Sequence, residues 1–100
     1  MLFNAANVEK YQIKRRKKLR AMMVREGISY IKREIKYKID HGYDSYAFTV
    51  DRISYDLGFT YKEFKEPFYS EILPYFQERG FKFNEKNYLE GEGYEMTWSE

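Results

Sequence analysis

The sequence predicts a small α+β domain, and three patterns lead to that prediction. Apolar residues recur at helical steps of three and four over residues 21–39. Apolar and polar residues alternate over residues 46–50 and again near the carboxyl end, which is typical of strands with one buried face. A second helix is indicated by apolar residues at every fourth position from Phe64 to Phe76. Together they predict an amphipathic N-terminal helix, a small three-stranded antiparallel sheet and a kinked second helix.

Residues 1–18 are predicted to form a basic, partly mobile N-terminal arm, and residues 19–100 a single domain. No apolar stripe forms in the arm, although Asn4 or Asn7 is suited to cap a helix. The amphipathic helix that follows is expected to end near His41 and Gly42, and to tolerate Gly27 off its apolar stripe. The stripe consists of Ala21, Val24, Ile28, Ile31, Ile35 and Ile39.

The segment after the first helix predicts one strand and one short helix. Alternating apolar residues place the strand over residues 46–50. A short helix over residues 51–57 follows, with Asp51 expected as its N-cap and Gly58 as its end.

The start of the second long helix carries the most specific local signal in the sequence. Thr60 and Glu63 have the spacing of a capping box, and Phe59 and Phe64 have the spacing of a hydrophobic staple. These two signals predict a helix that begins at Thr60.

The end of this helix is predicted at Gly80, with Phe81 placed to touch Phe76 in a Schellman motif. Pro67 is expected to kink or break the helix, because proline removes one helical hydrogen bond and clashes with the preceding turn. Pro74 is expected to be tolerated through a local distortion.

The last two strands predict a hairpin with a flexible loop over residues 84–93. The resulting order of helix, strand, helix, helix, strand and strand is that of a winged helix, and a plain α+β fold predicts the same elements. In the winged-helix version, Tyr61, Lys62 and Lys65 would lie near a bound duplex.

The residue types argue against an enzyme. The 100 residues include no cysteine and one histidine, so a thiolate nucleophile, a disulfide and a Cys-ligated or His-rich metal site are excluded. We expect His41 to cap a helix or to lie on the solvated surface. We expect Glu90, Glu92 and Glu95 to form a solvated acidic loop rather than a magnesium site. No nucleotide-binding fingerprint is present either. From these residue counts and patterns together, we expect no catalysis, no cofactor and no bound metal.

Hydropathy favours a cytoplasmic protein without a membrane partner. No apolar run approaches the roughly 18 residues of a membrane span, and residues 1–8 lack the apolar stretch of a secretory signal. The stripe over residues 21–39 also permits a dimer seam, so both a monomer and a homodimer are compatible with the sequence.

Charge is unevenly distributed along the chain although the formal net charge is only +2. Residues 1–38 carry 12 Lys/Arg and 3 Glu, whereas residues 39–100 carry 6 Lys/Arg and 13 Asp/Glu. A basic first third attracts anionic partners, and it can equally pair with the acidic part of the same chain.

We predict nucleic acid or a nucleoprotein as the partner of the basic region, because lysine and arginine at this density neutralise phosphates and release counterions. The main alternative is a solvated helix face that balances the chain's own acidic half. Acidic protein surfaces and anionic membranes are further alternatives. The predicted nucleic-acid-binding residues are Lys14, Arg15, Arg16, Lys17, Lys18, Arg20, Arg25, Lys32, Arg33 and Lys36.

Tyrosines supply a second candidate surface. Most phenylalanines are needed for the core of so small a domain, whereas tyrosines off the apolar stripes are free to form an interface. The predicted protein-binding residues are Tyr55, Tyr61 and Tyr69.

Several stretches after Ile28 carry a resemblance to known proteins: the helix ending at His41-Gly42, the aromatic strand over residues 46–50, the sequence ERGFKF over residues 78–83, and MTW over residues 96–98. In this pattern the chain resembles small, uncharacterised accessory proteins encoded by bacteriophages. The resemblance implies binding directed at the bacterial host and supplies no functional residues.

Two functional hypotheses follow. The first is a non-catalytic binding module whose basic N-terminal helix engages nucleic acid or a host nucleoprotein. The alternative is an inhibitor of a host defence protein that acts through protein-protein contacts, or a small virion component.

Overall fold

The structure is a computed structural model, and it describes residues 4–88 and 91–98. The predicted α+β class and the three-stranded antiparallel sheet are confirmed. The winged-helix assignment stays a prediction. In chain order the elements are α1 (Ala5–Asp40), β1 (Ser45–Thr49), α2 (Val50–Leu57), α3 (Tyr61–Pro67), a π-helical segment (Phe68–Ile72), α4 (Leu73–Gln77), β2 (Lys82–Tyr88) and β3 (Gly91–Thr97).

The first helix is a single element of 36 residues that includes most of the predicted arm. Asn4 is its N-cap, and the side-chain oxygen of Asn4 accepts a hydrogen bond of 3.0 Å from the backbone N–H of Asn7. An ideal helix of this length measures about 54 Å, and the longest extent of the molecule is 57 Å. Contacts with the core begin at Leu19 and Met23. The first four turns of α1 therefore project beyond the core.

The buried face of α1 differs from the predicted stripe. Its buried residues are Met23, Gly27, Ile31 and Ile35, whereas Ile39 is exposed. The placement of Gly27 off the stripe was wrong, because a Cβ atom there would lie 2.5 Å from Ile72 Cδ1. The segment formed by α3, the π-helical segment and α4 is here called the second helical region (residues 61–77). The absence of a side chain at Gly27 lets this region approach α1 closely.

The predicted break near Pro67 is a local change in hydrogen bonding. The backbone stays helical through Pro67, Phe68 and Leu73, and the N–H of Leu73 bonds to the carbonyl of Phe68, five residues earlier. Pro74 follows within the first turn of α4. A π-helical segment widens the turn just where a proline ring would otherwise clash with the carbonyl four residues before it.

Local caps define the ends of the second helical region as predicted. Thr60 is the N-cap and its Oγ1 accepts from the N–H of Glu63 at 3.1 Å, while the rings of Phe59 and Phe64 stack with centroids 6.3 Å apart. At the other end, the N–H of Phe81 bonds to the carbonyl of Phe76 at 3.1 Å around a left-handed Gly80.

The start of α2 corrects two sequence predictions. Thr49, not Asp51, is the N-cap, with its Oγ1 accepting from the N–H of Arg52 at 3.1 Å. Val50, predicted as the last strand residue, is the first residue of α2 and is fully buried. A buried residue fits either pattern at an element boundary, so alternation alone did not separate them.

The sheet has the strand order β1-β3-β2, with both pairings antiparallel. The predicted loop over residues 84–93 was wrong for most of its length, because β2 and β3 pair from Lys82 opposite Thr97 to Tyr88 opposite Gly91. Asn84, Glu85 and Lys86 are exposed, so strand pairing here does not need apolar residues. Residues 89–90 of the predicted loop lie outside the described residues. The inner face packs Tyr46, Phe48, Tyr94 and Met96 against the helices.

Candidate nucleic-acid interface

The five consecutive cations Lys14, Arg15, Arg16, Lys17 and Lys18, here called the basic segment, lie on the projecting part of α1. All five are exposed. Successive helical residues are rotated by about 100°, so five in a row carry positive charge around the whole circumference of the helix. The basic segment is therefore a charged rod rather than one face of a packed helix.

Like charges dominate this part of the chain. Residues 10–25 contain eight Lys/Arg and no Asp or Glu. Lys14 and Lys18 stand at helical spacing of four, and so do Arg16 and Arg20. Such pairs of like charge destabilise a helix by a few tenths of a kcal/mol each, about 0.2–0.5. An anion bound along the rod relieves this repulsion.

The acidic half of the chain does not cover the basic segment. Across residues 4–88 and 91–98, no ion pair or hydrogen bond joins its five side chains to a carboxylate. Among the ten predicted nucleic-acid-binding cations, Arg20 is the one that pairs with carboxylates of the described residues.

Arg20 belongs to a network of hydrogen bonds and ion pairs with side chains of α3 and the π-helical segment. Its Nη2 donates to Glu66 Oε1 at 2.9 Å and to Ser70 Oγ at 2.7 Å, and its guanidinium also contacts the carboxylate of Glu71. The hydrogen bond from Arg20 lowers the pKa of Glu66, with a smaller contribution from Ser70. This network fixes the base of the projecting helix to the core.

The other predicted cations on α1 remain exposed. Arg25, Lys32, Arg33 and Lys36 lie on α1 after the projecting segment. Lys32 approaches a second element, because its Nζ lies 5.1 Å from the centre of the Tyr75 ring. The predicted nucleic-acid-binding residues other than Arg20 therefore form an exposed set along a single helix.

Tyr69, which is predicted to bind a protein partner, is part of an internal hydrogen-bond chain. It donates to Glu92, and its hydroxyl oxygen accepts from the hydroxyl of Tyr94 at 2.8 Å. Burial, followed by the bond to Glu92, raises the pKa of Tyr69, and the same bond lowers the pKa of Glu92. These hydrogen bonds connect the π-helical segment to β3.

Tyr61 and Tyr55 differ in how much surface they offer. Lys65 Nζ lies 5.5 Å from the centre of the Tyr61 ring and 3.4 Å from Glu92 Oε1, so the ring of Tyr61 is partly occupied by an internal cation. Tyr55 on α2 is 77% exposed. Of the three predicted tyrosines, Tyr55 is the one presented to solvent.

Sequence reasoning missed Tyr75 and Arg79. The Cζ atom of Arg79 lies 3.5 Å from the centre of the Tyr75 ring, close to Lys32. Lys32 and Arg79 are far apart in the sequence, so no local motif indicated that they meet at one ring. Arg79 lies in the turn that follows α4, where no sequence pattern distinguishes it from other surface cations.

Comparison of the chain with protein-family models, curated proteins and solved structures gives no match. The resemblance to bacteriophage accessory proteins therefore stays a prediction. In the ranges that the structure describes, no helix is long and apolar enough to cross a membrane, and no three carboxylate or histidine side chains converge into a potential metal site.

Replacing Arg20 by glutamine separates its structural role from binding. We expect Arg20→Gln to lower the melting temperature, because Glu66 and Glu71 lose their common partner, while the salt dependence of nucleic-acid binding stays nearly constant. One phosphate contact contributes about 0.9 to the slope of log K against log salt, so a slope change of a full unit would show that Arg20 contacts phosphate. Thermal melting and a salt titration provide the two readouts.

Proposed function

We propose that the protein is a non-catalytic nucleic-acid-binding module that binds through the basic segment of α1. The observation that carries the proposal is the exposure of five consecutive cations on a helix that projects beyond the core, none of them paired with a carboxylate in the described residues. We place this binding in the cytoplasm of a bacterial host, as the resemblance to phage accessory proteins implies.

The electrostatics support a polyanion over a single small anion. A rod with charge on all sides has no pocket that would enclose one phosphate, but it matches a ligand that presents phosphates on several sides. Neutralising these phosphates releases condensed counterions, which supplies most of the affinity of sequence-independent binding.

The dimensions of the projecting helix support entry into a groove. A helix with its side chains is about 10–12 Å across, and the major groove of B-DNA is about 12 Å wide and admits one α-helix. The apolar side chains before Leu19 do not pack on the core, although Arg16 borders a surface pocket with Glu63 and Glu66. The turns before Arg16 are therefore the part that both walls of a groove can approach.

A salt titration of binding tests the proposal. The probe is a DNA duplex of about 16 base pairs, with an RNA duplex of the same length as a parallel probe, titrated from about 50 to 200 mM salt. We expect Lys14→Gln/Lys18→Gln to reduce the slope by about 1.8 on the DNA duplex and to weaken binding by tens of fold, since two phosphate contacts are lost.

The matched control is Lys82→Gln/Lys86→Gln, which removes the same charge from two exposed lysines of β2. It should change the slope by less than about half a unit, because these lysines contribute only to the long-range field. Equal effects of the two pairs, or no binding of either duplex by the unchanged protein, would contradict the proposal.

A protein-binding role is the second candidate, and the exposure of Tyr55 favours it. This candidate predicts that a specific host protein copurifies after nuclease digestion and is lost with Tyr55→Ala. The nucleic-acid proposal predicts that nuclease digestion removes the copurifying material and that Tyr55→Ala has no effect.

A further inference from the structure

We propose that Lys32, Tyr75 and Arg79 form a second phosphate-binding site, distinct from the basic segment and reached by the same duplex. This inference rests on the proposed function, because the ligand is the backbone of the bound nucleic acid. It adds Tyr75 of α4 and Arg79 of the turn after α4 to the predicted nucleic-acid-binding residues, all of which lie on α1.

The three side chains converge from α1, from α4 and from the turn that follows α4. Lys32 Nζ lies 5.1 Å and Arg79 Cζ 3.5 Å from the centre of the Tyr75 ring. Arg79 Nη1 donates to the backbone carbonyl of Tyr75 at 2.8 Å, which holds the guanidinium in place. Guanidinium carries five N–H donors, so the remaining ones can bind phosphate oxygens in the forked geometry that arginine favours.

No acidic group balances this cluster. Among the residues that the structure describes, neither Lys32 nor Arg79 forms an ion pair with a carboxylate. The ring of Tyr75 attracts both cations. A hydrogen bond with Lys32 lowers the pKa of Tyr75, and the positive charges of Arg79 and Lys32 lower it further. Two neighbouring cations without a carboxylate favour an anion as the missing third partner.

The site lies in line with the basic segment. Lys14 and Lys32 are separated by five full helical turns, so their side chains leave α1 in the same direction about 27 Å apart. Lys18 and Arg25 fall between them within roughly 40° of the same line, and all four are exposed. The cations therefore form one row along the helix.

A rigid row of this length selects for a rigid ligand. For a B-DNA duplex whose axis runs alongside α1, the axial rise of about 3.4 Å per base pair makes 27 Å equal to about eight base pairs. A duplex holds its phosphates at fixed separations over that length, whereas a single strand loses conformational entropy to match it. A duplex shorter than about eight base pairs reaches one site and not both.

The test compares Lys32→Gln/Arg79→Gln with the unchanged protein on two probes: a duplex of about 16 base pairs and a DNA hairpin whose stem has about five base pairs. We expect the variant to bind the long duplex at least about tenfold more weakly, with a slope lower by one to two units, and to bind the hairpin equally well. Lys82→Gln/Lys86→Gln is the control of equal charge.

The single variant Lys32→Gln keeps the hydrogen bond between Arg79 and the Tyr75 carbonyl. It therefore separates the loss of a phosphate contact from any structural change in α4 that the loss of Arg79 causes. It should show about half of the slope change on the long duplex. If neither variant changes binding of the long duplex while Lys14→Gln/Lys18→Gln does, the second site is wrong and the proposed function stands. Equal weakening on both probes would also overturn the two-site inference, and failure of the unchanged protein to bind would overturn both.

Discussion

Replacing Arg15, Arg16, Lys17 and Lys18 together by glutamine should abolish measurable duplex binding at moderate salt while leaving the domain folded. Four lost phosphate contacts correspond to about 3.6 units of slope and to an affinity loss of about 10³-fold at 0.1 M salt. The fold should survive, because these side chains are exposed and form no ion pairs in the described residues. Fluorescence anisotropy with a labelled duplex measures the loss, and circular dichroism checks the fold.

A control of equal charge separates local contacts from the overall field. The four substitutions take the formal net charge from +2 to −2, and so does Lys82→Glu/Lys86→Glu on β2. We expect this control to weaken binding far less, because charges far from the interface are screened over a Debye length of about 10 Å at 0.1 M salt. Persistent tight binding by the fourfold glutamine variant would show that the basic segment is not the interface.

Gly27→Leu should be the most destabilising single substitution that we propose. A Cβ atom at this position lies 2.5 Å from Ile72 Cδ1 and 3.2 Å from Phe64 Cζ, and both neighbours are fully buried. A leucine has no room unless α1 separates from the second helical region. We expect a loss of at least about 3 kcal/mol in the free energy of unfolding, which for a domain of this size lowers the melting temperature by more than about 10 °C.

Two further variants show that the cause is the close approach of the helices. Ser29→Leu places the same side chain at an exposed position of α1 and should change stability by less than about 0.5 kcal/mol. Gly27→Ala should lower the free energy of unfolding by less in an Ile72→Val background than in the unchanged protein, because valine lacks the Cδ1 atom that the new methyl group meets. If urea denaturation shows that the losses in unfolding free energy of Gly27→Ala and Ile72→Val simply add in the double variant, this contact does not limit the packing.

The ends of the second helical region were predictable because the atoms concerned are close in sequence. The hydrogen bond between Thr60 and Glu63 joins residues three positions apart, and the bond from Phe81 to Phe76 joins residues five apart. Such caps depend on the local chain and little on the remainder of the protein. The same locality explains the correct prediction of Asn4 as a possible cap.

The buried face of α1 was less predictable, because periodicity treats every apolar residue as a candidate and glycine as a defect. Gly27 is buried because a close helix contact needs a missing side chain, and Ile39 is exposed because the helix extends past the core. Both outcomes depend on the position of the second helical region and on the length of the sheet, which helical spacing does not encode.

The sequence by itself determined the concentration of positive charge in the first third of the chain and the capped ends of the second helical region, since charge counts and short-range hydrogen bonds do not depend on the fold. Only the tertiary structure decided which cations are available. Arg20 meets Glu66, 46 residues away, and Arg79 meets Lys32 at the Tyr75 ring. Contacts of this kind exist only after distant elements have packed together, so the division between paired and available cations is a property of the folded molecule.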